Sequence, residues 1–188
     1  MANTDAPRGL WPVRHLTGGS IRQSEYPITS GYSTGIFYGD LVKLVAAGTI
    51  EAAAAGNRIL GVFRGVEYTA ADGSVVFSKY WPASTVATDI KAMVIDDPNV
   101  VFGAQSSGST VAADVGNLGD GVAGAGSTST GISAHEINGT TSTGVAGMRV
   151  IGKIDAPDND WGTNVNLEVV IYEHELNQHI DADGTPGV

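Results

Sequence analysis

The sequence predicts an all-β chain: a small β-barrel or sandwich-like body with an extended N-terminal arm and a long Gly/Ser/Thr-rich excursion. Three observations carry that expectation. Between Tyr26 and Tyr68, two apolar bursts, IFYGDLVKLV and RILGVFRGVEY, flank an Ala-rich middle that starts at Gly48 and ends at Gly56. Short strand-type runs bounded by Gly and Asn suit paired strands better than helices. Near the end, Val165, Leu167, Val169 and Ile171 alternate with Asn164, Asn166, Glu168 and Val170, the period-2 pattern of a half-buried strand. The Ala52–Ala55 run is too short to sustain a helix.

The chain divides into an arm over 1–25, a β-rich body over 26–175 that includes an excursion over 105–147, and a polar tail over 176–188. The arm, MANTDAPRGLWPVRHLTGGSIRQSE, holds Pro7, Pro12 and Gly18-Gly19 with no sustained periodicity, so it reads as extended. Its Leu10, Trp11, Val13, His15 and Leu16 sit beside Arg8 and Arg14. Trp and Arg are favoured interface anchors. Arg8, Leu10, Trp11, Arg14, His15 and Leu16 are therefore the candidate partner-binding residues, the alternative being that Trp11 folds back onto its own core.

In the body, Gly61 and Gly65 imply bulges or close backbone approach. The turn Thr69–Ser74, with Asp72-Gly73 at its centre, joins the strand through Phe63 and Tyr68 to a second over Ser74 to Trp81. Strands follow over Ile90 to Ile95 and Val100 to Ala104, separated by the turn Asp96-Asp97-Pro98-Asn99. Gln105 to Gly147 has no aromatic residue and too little apolar mass to fold alone. Its Val111, Val115, Leu118, Val122, Ile132, Ile137 and Val145 nevertheless suggest ordering by docking, on its own body or on neighbouring subunits. Met148 to Ile154 and Trp161 to Glu173 are the closing strands.

Composition excludes several classes. The formal net charge is −10, which argues against nucleic acid as a direct partner because phosphate binding needs clustered Lys and Arg. Charge is uneven: three arginines precede Tyr26, whereas every ionised side chain of the Lys/Arg/Asp/Glu set beyond Lys153 is acidic. With no cysteine, disulfides, thiol catalysis and Cys-based zinc sites are out. The N-terminus lacks a signal-peptide pattern, and no apolar run approaches the roughly 18 residues of a membrane span. The expectation is a soluble protein made in the cytosol. Many glycines and few aromatics suggest stability borrowed from self-association or a partner surface.

No motif supports catalysis. The histidines His174 and His179 are five apart, not four as the zinc-protease motif requires. Neither Asp155, Asp158 and Asp160 nor Asp181 and Asp183 follow the calcium-loop pattern. The GxGxxG-like spacings of GNLGDGVAGAG have no strand–loop–helix frame. The expectation is a protein that is not an enzyme and uses no cofactor and no metal.

The opening MANTDAPRGLWPVRHLTGGSIRQSEYPI resembles the N-termini of small structural proteins encoded beside the major capsid protein in tailed bacteriophages. GDLVKL, a small-residue stretch and ILGVFRGVEY resemble their β-rich body, and KYWPAS, DDPNVVF and NVNLEVVIYEHEL recur in the same order. The resemblance spans most of the chain but not the composition of 105–147. It implies a head decoration (cement) protein that binds the phage major capsid protein on the outside of the virion, as homotrimers, and stabilises the expanded shell. A tail-tube or other virion structural subunit, and a surface-displayed carbohydrate-binding or adhesion module, are the alternatives.

Overall fold

The computed structural model describes residues 3–138 and 147–177. Eight strands precede the excursion: β1 Trp11–His15, β2 Ser24–Tyr26, β3 Leu41–Leu44, β4 Ile50–Ala52, β5 Gly61–Ala70, β6 Val75–Ser78, β7 Ala87–Ile95 and β8 Val100–Gln105. The excursion contributes two-residue pieces, β9 Ser109–Thr110, β10 Leu118–Gly119, β11 Gly121–Val122 and β12 Glu136–Ile137, with a 3-10 turn at Ala112–Asp114. β13 Met148–Lys153, β14 Gly162–Thr163 and β15 Asn166–Ile171 complete the chain. The all-β expectation holds. Neither sheet closes into a barrel, so the sandwich-like alternative is the one adopted.

Of the two main sheets, one runs β1-β8-β15-β13-β10 and the other β2-β7-β5-β3-β4 with β6 beside β5; β11-β12 and β14-β9 form small two-stranded sheets. β5 pairs with β7 along one edge; its other edge is shared by β3 near Val62 and by β6 from Val66 to Thr69. Because side chains alternate across a strand, consecutive residues of the second sheet enter different cores. Leu41, Ile59, Val62 and Ile95 pack with Val100, Phe102, Leu167 and Val169 of the first sheet. Val42, Leu60, Phe63 and Val94 pack instead with Ile28, Ile36, Tyr68 and Trp81. The second sheet is thus covered on one face by the first sheet and on the other by irregular chain around Ile28–Ile36 and Trp81.

Two glycines make this packing possible. A Cβ at Gly61 would lie 2.1 Å from the Ile95 carbonyl oxygen, so β5 and β7 could not approach. Gly65, at φ +139°, sits where the β5–β7 register shifts, a conformation that glycine adopts without strain.

The N-terminal segment, expected as an extended arm, runs along its own body. Trp11–His15 is an antiparallel edge strand on β8, with a register shift after Pro12. An edge position tolerates Pro12 because its missing N–H faces away from the ladder. Upstream, the Leu10 N–H donates to the Gly39 carbonyl at 2.8 Å. Asn3 Nδ2 donates to the Asp160 and Thr163 carbonyls, both at 2.8 Å, and the Ala6 N–H donates to Gln105 Oε1 at 2.9 Å. The segment is stitched to the body along its length.

The excursion is also anchored to its own body. Ile137 is fully buried in the first core, and Ser133 and His135 are buried polar residues. Val111, Val115, Val122 and Ile132 face outward; Val145 lies outside the described residues.

Leu10 is 1% exposed and Leu16 48%. Leu10→Ala should therefore cost about 2–5 kcal/mol, whereas Leu16→Ala should stay within about 0.5 kcal/mol. Denaturant unfolding of the two variants checks this, and equal effects would contradict the placement of the segment.

Candidate partner-binding surfaces

The six residues singled out in the sequence do not form one surface. Leu10 is in the core and unavailable to any partner. Trp11 is only partly buried, but its ring is already used. A Cβ on Gly103 would lie 2.2 Å from that ring, so Trp11 lies against the glycine backbone of β8. The Arg8 guanidinium sits 3.9 Å from the ring centroid on a cation–π contact.

His15 is committed to the body as well. Its Nδ1 accepts the Thr17 and Gly19 N–H groups, each at 3.2 Å. The proton must then sit on Nε2, which donates to Asp97 Oδ2 at 3.1 Å. Burial pushes the Asp97 carboxyl up, but the Asn99 N–H and His15 outweigh it and hold it below its usual range. The Leu16 N–H donates to the Asn99 carbonyl at 2.8 Å. This network pins the end of β1 to the Asp96–Asn99 turn.

What remains outward is Arg8, Arg14 and Leu16 of the predicted set, joined by Val13 and Ile21. Arg14 holds Glu168 across the sheet at 2.8 Å. Val13, at the register shift of the edge strand β1, and Leu16, just past its end, are both exposed, with Arg14 between them in the chain. Ile21 was not singled out in the sequence, since it has no periodic neighbours there.

A second surface was not legible as a site at all. From Glu67 onward, β5 continues beyond the part of the sheet that is covered by the first core. On that face Phe77 lies across from Glu67, which lies across from Lys91, and Val75 lies across from Thr69 and Thr88. Phe77 is 77% exposed and Val75 58%. A shallow pocket of about 270 Å³ opens beside Phe77, lined also by Arg64, Lys79 and Met93.

Arg64, one of the residues lining that pocket, also reaches Tyr38. Its guanidinium carbon is 3.8 Å from the Tyr38 ring centroid, and its Nη2 donates to the Tyr38 hydroxyl. Its Nε and Nη1 are buried and have no hydrogen-bond acceptor among the described residues. Burial pushes its pKa below the usual value. Each such unmet donor costs on the order of 1–3 kcal/mol.

A third cluster resembles a catalytic constellation by composition. Ser133 Oγ donates to Asp40 Oδ1 at 2.5 Å, and His135 Nδ1 lies 3.7 Å from the same oxygen. Hydrolytic triads need the histidine between serine and carboxylate, where it can take the hydroxyl proton. Here the serine proton is given to the carboxylate. The Phe37 N–H also donates to Asp40 Oδ2 at 2.7 Å, and the His135 N–H donates to Ser133 Oγ at 2.8 Å. The cluster ties the Phe37–Asp40 loop to the excursion.

The C-terminal histidine motif ends differently from a metal site. His174 is 1% exposed and bridges to Ile59. Its Nδ1 accepts the Leu176 N–H at 3.1 Å. Glu175 turns its carboxylate to the Leu44 N–H; burial pushes its pKa up, against the opposing pull of that bond. His179, Asp181 and Asp183 lie outside the described residues. No group of three His, Asp or Glu able to hold a metal occurs among the described residues, and no helix there is long and apolar enough to cross a membrane.

No protein-family model, curated protein or solved structure matches this chain. What the geometry defines is a class: an all-β body that, among other exposed apolar residues, presents Val13 and Leu16 at the edge of one main sheet and Val75 and Phe77 on the other.

Burial pushes His174 down to about 4 from an ordinary 6.5. The unfolded chain then binds a proton that the folded chain refuses, so stability is full above about pH 6.5 and falls as pH drops toward 4. The loss is on the order of 3 kcal/mol at most. His174→Asn, which keeps an acceptor for Leu176, should flatten that part of the stability–pH curve. Identical slopes for the two proteins between pH 6.5 and 5 would contradict it.

Proposed function

We propose that the protein is a structural virion protein that binds the phage major capsid protein on the outer surface of the capsid. It stabilises the expanded shell there by bridging neighbouring capsomers. A bridging protein needs at least two docking faces. The single observation that carries this reading is that the body presents two, the Val13/Leu16 edge of the first sheet and the Phe77 ribbon of the second. The order of the soft motifs GDLVKL, KYWPAS, DDPNVVF and NVNLEVVIYEHEL supports the same reading.

The mechanism is linkage. A subunit that binds only the expanded arrangement adds its binding free energy to that state, and the stabilisation grows with occupancy. Repetition around three-fold positions as a homotrimer multiplies each contact by closed symmetry. Rigid docking faces suit this role, because little conformational entropy is lost on binding. No catalytic step enters.

Removing the whole N-terminal segment would be a poor test, since it deletes β1 and takes Leu10 out of the core. Substitution at Val13 and Leu16 is cleaner. Purified expanded capsids lacking this protein should bind the full chain saturably, and Val13→Asp with Leu16→Asp should weaken binding at least about tenfold with unchanged circular dichroism. Saturable binding unaffected by the pair would move the shell contact elsewhere. No binding, with polymerisation into tubes instead, would overturn the capsid reading in favour of the tail tube.

A further inference from the structure

We infer that the cleft between the Thr34–Leu41 loop, the end of β4 and the excursion binds a small primary ammonium ion, seated on the carboxylate of Asp40. The inference is independent of the shell-binding reading.

The cleft has a volume of about 250 Å³. That is room for about eight water molecules, and less than the roughly 300 Å³ at which drug-sized sites begin. Its occupant is therefore a small molecule. The lining divides by burial. Asp40, Leu41, Ala53 and His135 are each less than a tenth exposed and make the inner end. Thr34, Ala123 and Ala125 are exposed and make the mouth, so the inner end is reached from outside.

The excursion's wall of the cleft is set by close packing. A Cβ on Gly124 would lie 2.0 Å from the Ala134 carbonyl oxygen, and one on Gly126 would lie 2.2 Å from the Phe37 ring. With only alanine and glycine contributed between Ala123 and Gly126, no side chain of that wall fills the space. A preformed cleft loses little conformational entropy on binding.

Charge chooses the ligand. Asp40 and His135 are the only titratable side chains lining the cleft among the described residues, and no Lys or Arg joins them. An ionised carboxylate has room for about four hydrogen bonds. Asp40 takes one from Ser133 Oγ at Oδ1 and one from the Phe37 N–H at Oδ2. His135 Nδ1, at 3.7 Å from Oδ1, is outside hydrogen-bond reach. A largely buried carboxylate with spare acceptor capacity favours an ammonium group, whose N–H bonds to it are charge-assisted. An anion would meet like charge at the same place. The alanines and Phe37 suit a short alkyl stem behind the charged head.

Heteronuclear NMR of the full chain at neutral pH, titrated with n-butylammonium chloride, tests this. The amides of Phe37, Ala53 and Ala125 should shift saturably. n-Butanol and butyrate, with the same stem but a neutral or anionic head, should bind at least about tenfold more weakly. Asp40→Asn should weaken n-butylammonium binding at least about tenfold. That substitution also disturbs the Ser133 and Phe37 contacts, so Ala123→Phe at the exposed mouth is the second variant. It should block the cleft with thermal unfolding unchanged. No saturable shifts at these amides, n-butanol binding as tightly as n-butylammonium, or undiminished binding by either folded variant would each overturn the inference.

Discussion

The structure depends on a central strand that buries both of its faces. β5 cannot leave either side to water, because Val62 and Phe63 are neighbours on opposite faces and both are fully buried. One face is closed by the first sheet. The other is closed by chain with almost no regular structure, carrying Ile28, Ile36 and Trp81. Trp81 packs edge-on against Tyr68, with ring centroids 5.3 Å apart at 76°. A sheet with two covers forms three layers from few residues, which reconciles a thin supply of large side chains with a chain of this length.

The same constraint produces the exposed surfaces. β5 and β7 run further than the first sheet can cover, so the ribbon beyond Arg64 keeps its cover on the Trp81 side and loses it on the Phe77 side. The edge strand β1 ends the first sheet, and Val13 at its register shift and Leu16 just past its end are exposed where no further layer covers them. Both apolar surfaces therefore follow from where the layers stop. The polar networks serve rigidity: Asp97 with His15 and Asn99, and Asp40 with Ser133 and His135, fix the loops between layers. Such satisfied buried networks specify one arrangement of a loop.

Much of this was legible along the chain. The alternation of Val165, Leu167, Val169 and Ile171 put all four into the first core. The Asp72-Gly73 turn marked the β5–β6 hairpin, and Gly61 and Gly65 marked the close approach and the shifted register. The N-terminal strand was hidden because Pro12 and two flanking glycine turns imitate an unstructured arm. Its pairing with β8 is a contact between residues about 90 positions apart, which no local pattern reports. The candidate site was less legible. Leu10 and Trp11 look like anchors because large apolar residues in a polar segment signal burial of some kind; only packing tells that Leu10 is in its own core and that Trp11 lies partly buried on β8. Phe77 lay inside an ordinary strand signal, SVVFSKYW, and its exposure is decided by how far the opposite sheet extends.

The most direct measurement is a cryo-electron microscopy map of expanded capsids saturated with the full chain. The account predicts density on the outer surface at three-fold and local three-fold positions, with the Val13/Leu16 edge facing the shell. Density confined to a tail, or outer-surface density with that edge turned toward solvent, would contradict it.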